Sequence, residues 1–269
     1  MNTNKFPSFN FKRRLSSMIK VDLRRLFTSS FYYIMIGISL VIPILILVMT
    51  TMMAGTESVD PVTGEVFIME QMFTSVWQAI GTIPGQSSEM AMDVTTMCNI
   101  DMMFFAVAVL VCLFVSGDFN SGFSKSLFTA RSDKKDYVAS KTLTCFIGGA
   151  SLILAYFIGA LLGGAISCLS FELVNITEFN IVMCILSKML LVLVFVPIFL
   201  TMSVIGKQKT WFSMILSFSI GMLLFMMVSM ITPLNSTMVN VFLSMCGGII
   251  FAFGLGSISN VILKRSSLV

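Results

Sequence analysis

Six apolar segments recur along a chain of 269 residues, at roughly 31 to 53, 96 to 117, 142 to 167, 181 to 205, 210 to 232 and 239 to 262. Each is close to the ~20 residues that cross a bilayer core. Inside hydrocarbon every backbone amide must be satisfied within its own segment, so such stretches fold as helices; the alternating pattern of barrel strands is absent. Hydrophobic residues make up 57% of the chain and charged residues 11%, more apolar surface than a globule of this size can hide. The expected fold is all-α integral membrane: a single domain over 1–269 with six transmembrane helices.

The cations fix an expected orientation. An even number of spans returns both termini to one side, and if that side is the cytoplasm it holds 16 of the 17 Lys and Arg residues. Seven precede the first span and five, Lys125, Arg131, Lys134, Lys135 and Lys141, follow the second; Lys207, Lys209, Lys264 and Arg265 complete the set. Nine of the 13 carboxylates fall on the opposite side. Positive-inside sorting therefore predicts a multi-pass protein of the cell membrane with both termini cytoplasmic. It also accounts for the net charge of +4 without a nucleic-acid partner. The first hydrophobic stretch has full span length and no small-residue cleavage site, so no cleaved leader is expected.

Between the spans the chain is organised into three polar pieces. Residues 1–30 carry Phe11, Leu15, Met18, Ile19, Leu23, Leu26 and Phe27 at helical spacing among Lys12, Arg13, Arg14, Lys20, Arg24 and Arg25. That pattern predicts an N-terminal amphipathic helix in the inner interface, against membrane lipid. Residues 54–95 form the largest outer loop, with turn chemistry at Asp60-Pro61, Thr63-Gly64 and Pro84-Gly85 around an amphipathic stretch from Ile68 to Ile80, either a lid or an interfacial helix. The piece after the second span, residues 118–141, is the most informative. Asp118 is placed to cap a short helix, Gly122 to bend the chain, and Phe119, Phe123, Leu127 and Phe128 to give that helix an apolar face. Phe119, Phe123 and Arg131 are the expected anchors for a protein partner.

Within the spans, Ser151, Ala155, Gly159, Gly163 and Ser167 recur every four residues, and Ser244, Gly248, Ala252 and Gly256 repeat the device. Small faces of this kind are packing surfaces, within the subunit or across a dimer. Pro197 should kink the fourth span. Asp101 belongs near the outer boundary, solvated there or in contact with a solute, and Lys188 is expected to snorkel to headgroups; these two are the candidate residues of a solute path. Cys98 and Cys168 lie near the outer boundary, where spacing alone does not decide whether they pair.

Chemistry is sparse. There is no histidine, which excludes His-based acid–base catalysis, Ser/His/Asp triads and HExxH zinc sites. No phosphate-binding GxxxxGK[ST] loop and no CxxC pair occurs. The chain is expected to be no enzyme, with no cofactor or metal of its own.

The layout of basic N-terminal helix, six spans, and an acidic residue followed by glycine, arginine and Tyr-x-x-x-Lys after the second span resembles the membrane subunit of ABC-2 type ATP-binding-cassette exporters. The matching positions are Asp118, Gly122, Arg131, Tyr137 and Lys141; Asp stands where Glu is usual, and Ser124, Ser126-Leu127 and Thr129-Ala130 depart from the family's threonine, Leu-Leu and Ser-Pro. The resemblance implies a coupling helix in 118–141, with Asp118, Phe119, Gly122, Phe123, Lys125, Arg131, Lys134, Tyr137 and Lys141 coupling to a separate cytoplasmic ATPase. That subunit would bind ATP and Mg, and a second permease copy or sibling would complete a dimer. The 23 Met and 25 Phe suit an amphipathic peptide, antibiotic or lipid-like cargo, removed for self-protection or resistance. Two other classes remain at this stage: a membrane sensor or assembly partner that recruits a cytoplasmic protein, and an ion-coupled secondary transporter.

Overall fold

The computed structural model describes residues 11–59, 66–69, 71–82, 98–130, 134–173, 176–206 and 209–265. Arg131, Lys207 and the turn residues expected at 60–64 and 84–85 lie outside them. The described chain is helical apart from a short antiparallel hairpin pairing Glu57–Val59 with Val66–Ile68. We number the helices α1 (Phe11–Phe27), α2 (Ser30–Met53), α3 (Met103–Asn120), α4 (Phe123–Ala130), α5 (Lys134–Ile166), α6 (Glu178–Gly206), α7 (Thr210–Ile231) and α8 (Met238–Arg265).

Five of these, α2, α3, α5, α6 and α8, are long and apolar enough to cross a membrane. The remaining expected segment, 210 to 232, is α7, whose 22 residues carry their apolar run from Thr210 to Phe225. Helix α5, at 33 residues, is about 50 Å long at ~1.5 Å per residue, well beyond a ~30 Å core. Its first two turns meet α1, α3 and α4 at one end of the bundle, here called the basic end.

Helix α6 is the core of the bundle, with Val192, Val196, Phe199 and Leu200 fully enclosed. It runs through Pro197 as one continuous helix, and α2 does the same through Pro43. Helices α2 and α8 lie on the outside; α8 keeps most of its apolar side chains exposed, as with Phe253 at 76%, and α2 a continuous face of them, including Ile34, Ile38, Leu45 and Met49; lipid is the solvent that accepts such faces.

The small residues on α5 pack inside the subunit. A methyl group added at Gly159 would strike the Leu40 carbonyl and Pro43, and one at Gly163 would strike Ile44. Ala155 is buried on the same face, and Tyr32 and Ser151 share a 2.7 Å hydrogen bond across it. Backbones come this close because only hydrogen and methyl groups intervene. On α8, Gly248 lies against Leu193 and Ser244 bonds Ser187 at 2.8 Å. Ala252 is half-buried, and a methyl group added at Gly256 would meet Val138 at an ordinary 3.7 Å, so the lower part of that face is looser.

The amphipathic stretch before α3 is not a helix. Val76–Ala79 forms one 3₁₀ turn, closed by a Ser75/Gln78 capping box, and Phe73, Val76, Ala79 and Ile80 are buried in the bundle. The bare backbone of Gly164 admits Val76, and Trp77 donates its indole N–H to the Phe171 carbonyl at 3.1 Å. This segment plugs the end of the bundle opposite the basic one.

Candidate functional site

Two buried charge centres stand at opposite ends of α3. At the basic end, α1 presents Asp22, α3 presents Asp118, and α5 presents Tyr137, Ser140 and Lys141, every one of them buried. The Lys141 ammonium sits between the carboxylates, 2.8 Å from Asp22 Oδ1 and 2.7 Å from Asp118 Oδ2. Arg25 of α1 reaches across to place Nη2 2.7 Å from Asp118 Oδ1. Tyr137 donates its hydroxyl to Asp118 at 3.1 Å, and Ser140 donates to Asp22 at 2.6 Å. Two aspartates and two cations make the cluster neutral. That is the condition under which ionised groups persist away from water, since each unpaired ion costs several kcal/mol to bury.

Aromatic faces close the cluster. Lys141 Nζ lies 3.9 Å from the centre of the Phe114 ring, and the Arg25 guanidinium lies 4.1 Å over Phe123, the first residue of α4. At the other end of α4, Phe128 meets the Tyr137 ring edge-on at 5.3 Å. The short helix is thus fastened at both ends to side chains of the charge cluster. Gly122 makes the corner: at φ 72° it turns the chain between α3 and α4 in a region that costs other residues roughly 1–2 kcal/mol.

The structure moves several expected residues to other roles. Asp118 lies within α3, inside the bundle, and pairs with Lys141 and Arg25, so it does not cap α4. Phe119 is 4% exposed and is a core residue, so it offers nothing to a partner. Phe123 stacks under Arg25. The face that α4 turns outward carries Lys125, Ser126 and Thr129. Tyr137 and Lys141 are enclosed, not at an aqueous boundary, because α1 covers them. Lys134 donates to the Leu263 carbonyl at 2.5 Å, tying the start of α5 to the last turn of α8.

Asp22, Asp136 and Ser140 belong to this site and were not singled out from the sequence; Arg25, expected among the cations of an interfacial helix, turns to Asp118 instead. The signal for Asp22 was present: it falls one turn from both Met18 and Leu26 on the apolar stripe of α1, and a carboxylate there must find a buried cation. Asp136 pairs with Arg14 Nε at 3.3 Å, adding a second bridge between α1 and α5.

At the opposite end, Asp101 opens α3 from a 3₁₀ turn, its backbone N–H capped by the Asn99 side chain at 2.9 Å. It forms an ion pair with Lys188 of α6, both side chains without solvent exposure. Ser229 of α7 donates to its other oxygen at 2.9 Å. Lys188 therefore turns into the bundle and does not reach for headgroups, because a carboxylate waits there and hydrocarbon surrounds every other direction. Asp101, likewise, is not solvated. The two expected solute-path residues form one locked contact joining α3, α6 and α7. Nearby, Cys98 and Cys168 are both free thiols.

Between α6, α7 and α8 lies an apolar groove of about 320 Å³ lined by residues including Leu191, Val194, Ile198, Leu224, Leu243 and Phe251. Among the described residues no three His, Cys, Asp or Glu side chains gather as metal ligands. No protein family model, curated protein or solved structure matches the chain.

Proposed function

We propose that the chain is the permease subunit of an ATP-driven exporter of the ABC-2 type, crossing the cell membrane six times with both termini in the cytoplasm. A separate cytoplasmic ATPase, binding ATP and Mg, docks on the outward face of α4, and a second copy or a sibling permease completes the transporter. The observation that carries this reading is the mounting of α4. A short amphipathic helix is fastened at both ends to a neutral, buried charge cluster that joins α1, α3 and α5, so a push on Lys125, Ser126 or Thr129 is delivered to three helices at once.

Helix α3 extends the lever. Asp118, near its end, and Asp101, in the 3₁₀ turn that leads into it, are 17 positions apart, about 25 Å of helix. A displacement at the basic end therefore reaches the Asp101–Lys188 pair, where α6 and α7 are held. Breaking and remaking that contact opens and closes the far end of the bundle. The apolar groove beside α6 suits an amphipathic peptide, an antibiotic or a lipid-like solute, taken up from within the membrane.

Co-purification from native membranes tests the reading. An ATPase with a phosphate-binding loop should accompany the full-length chain, and Asp118→Asn should lower export more than it lowers ATP hydrolysis. Recovery of the chain without any ATPase, or full export by the variant, would remove the coupling assignment.

A further inference from the structure

The described carboxylates of the basic end all face inward. Asp22 and Asp118 are without exposure, Asp136 is at 1%, and each is held by cations of α1 or α5. What remains on the outside is positive. On α1 the buried face runs through Met18, Asp22 and Leu26. Directly opposite, Lys12, Arg13, Ser16, Ser17, Lys20 and Arg24 are exposed. Five of these, all but Arg24, line a shallow cleft of about 320 Å³. It offers three cations and the Ser16 hydroxyl, while Ser17 donates its own to the Arg14 carbonyl at 2.8 Å, and no described carboxylate lies within ion-pair reach of those cations.

Position says which anion the cleft meets. Helix α1 ends at Phe27 and α2 begins at Ser30, already displaying exposed Tyr33, Ile34 and Ile38 to the apolar layer. The cleft thus hangs at the edge of that layer, beside exposed Phe11 and Val21 on the same helix. Cations with a hydroxyl donor and apolar neighbours fit a phosphate carrying acyl chains.

We infer that the outward face of α1 is a headgroup site for an anionic phospholipid, with Lys12, Arg13 and Lys20 pairing the phosphate and Ser16 donating to it. Occupancy holds α1 at the membrane surface, and through Arg14–Asp136, Asp22–Lys141 and Arg25–Asp118 it fixes the mounting of α4. The site rests on the chain lying in a membrane and requires no ATPase, so its test is separate from that of the transport reading.

The full-length protein in detergent is titrated with dioctanoyl-phosphatidylglycerol and bound lipid is counted by native mass spectrometry. The triple variant K12Q/R13Q/K20Q should bind roughly a hundredfold more weakly, about fivefold for each surface cation lost. K12R/R13K/K20R should bind as the parent does, which separates loss of charge from loss of fold. A control triple at other exposed cations of the basic end, K135Q/K264Q/R265Q, should leave binding intact. Equal loss in the control would mean diffuse attraction and overturn the site. So would equal binding of dioctanoyl-phosphatidylcholine, unchanged binding by the Gln triple, or displacement of the lipid by inorganic phosphate at matching concentration, which would mark a free-anion site.

Discussion

Lys141 is held where no water reaches by two carboxylates, a tyrosine hydroxyl that steadies one of them and an aromatic face, which stand in for the hydration it has lost. The arrangement is strong only while complete. Lys141→Met would leave Asp22 and Asp118 facing one another with Arg25 alone between them, and unpaired buried charge typically costs 3–5 kcal/mol. Denaturant or thermal unfolding in detergent should show a loss on the order of 3–5 kcal/mol, whereas Lys125→Met, on the exposed face of α4, should change stability by less than about 0.5 kcal/mol. At the far end, Asp101→Leu and Lys188→Met should each destabilise strongly. The double variant, which buries no charge, should be more stable than the sum of the two predicts by at least about 1 kcal/mol. Additive losses would mean that the two charges do not depend on each other.

Helices were legible in the sequence because lipid makes span length nearly sufficient evidence, and the expected boundaries of α2, α6, α7 and α8 fall within a few residues of the observed ones. Partnerships were not. Nothing in the spacing of Ser151, Ala155, Gly159 and Gly163 says which helix lies against them, and that face proves to be the seat of α2. Gly159→Leu should therefore separate α2 from α5 and destabilise the subunit by more than the ~1–3 kcal/mol usual for overpacking, since the carbonyl of Leu40 has no rotamer to yield. Gly254→Leu on α8, where an added side chain meets open space, should leave unfolding of the subunit unchanged. The stretch from Ile68 to Ile80 misled for a related reason. Its apolar residues repeat at near-helical spacing, but Ser75 and Gln78 close a single turn and the buried side chains follow an irregular path over Gly164.

For the molecule as a whole, composition told the solvent but not the way buried charges are shared among helices. Two neutral centres, each joining three helices, hold the two ends of α3; under the proposed function the bundle takes force at one end and releases a contact at the other. Asp118 and Asp101 could be found in the sequence as isolated acids beside apolar runs; that Lys141 and Lys188 answer them depends on folding that brings together residues 23 and 87 positions apart. ATP-driven coupling through this body needs a partner at α4. A photo-crosslinking amino acid placed at Ser126 in the full-length chain, activated in native membranes, tests this directly, with the same probe at Phe253, exposed in the middle of α8, as the control. Ser126, and not Phe253, should capture a cytoplasmic polypeptide carrying a phosphate-binding loop. Capture of no nucleotide-binding polypeptide at Ser126 would contradict that coupling.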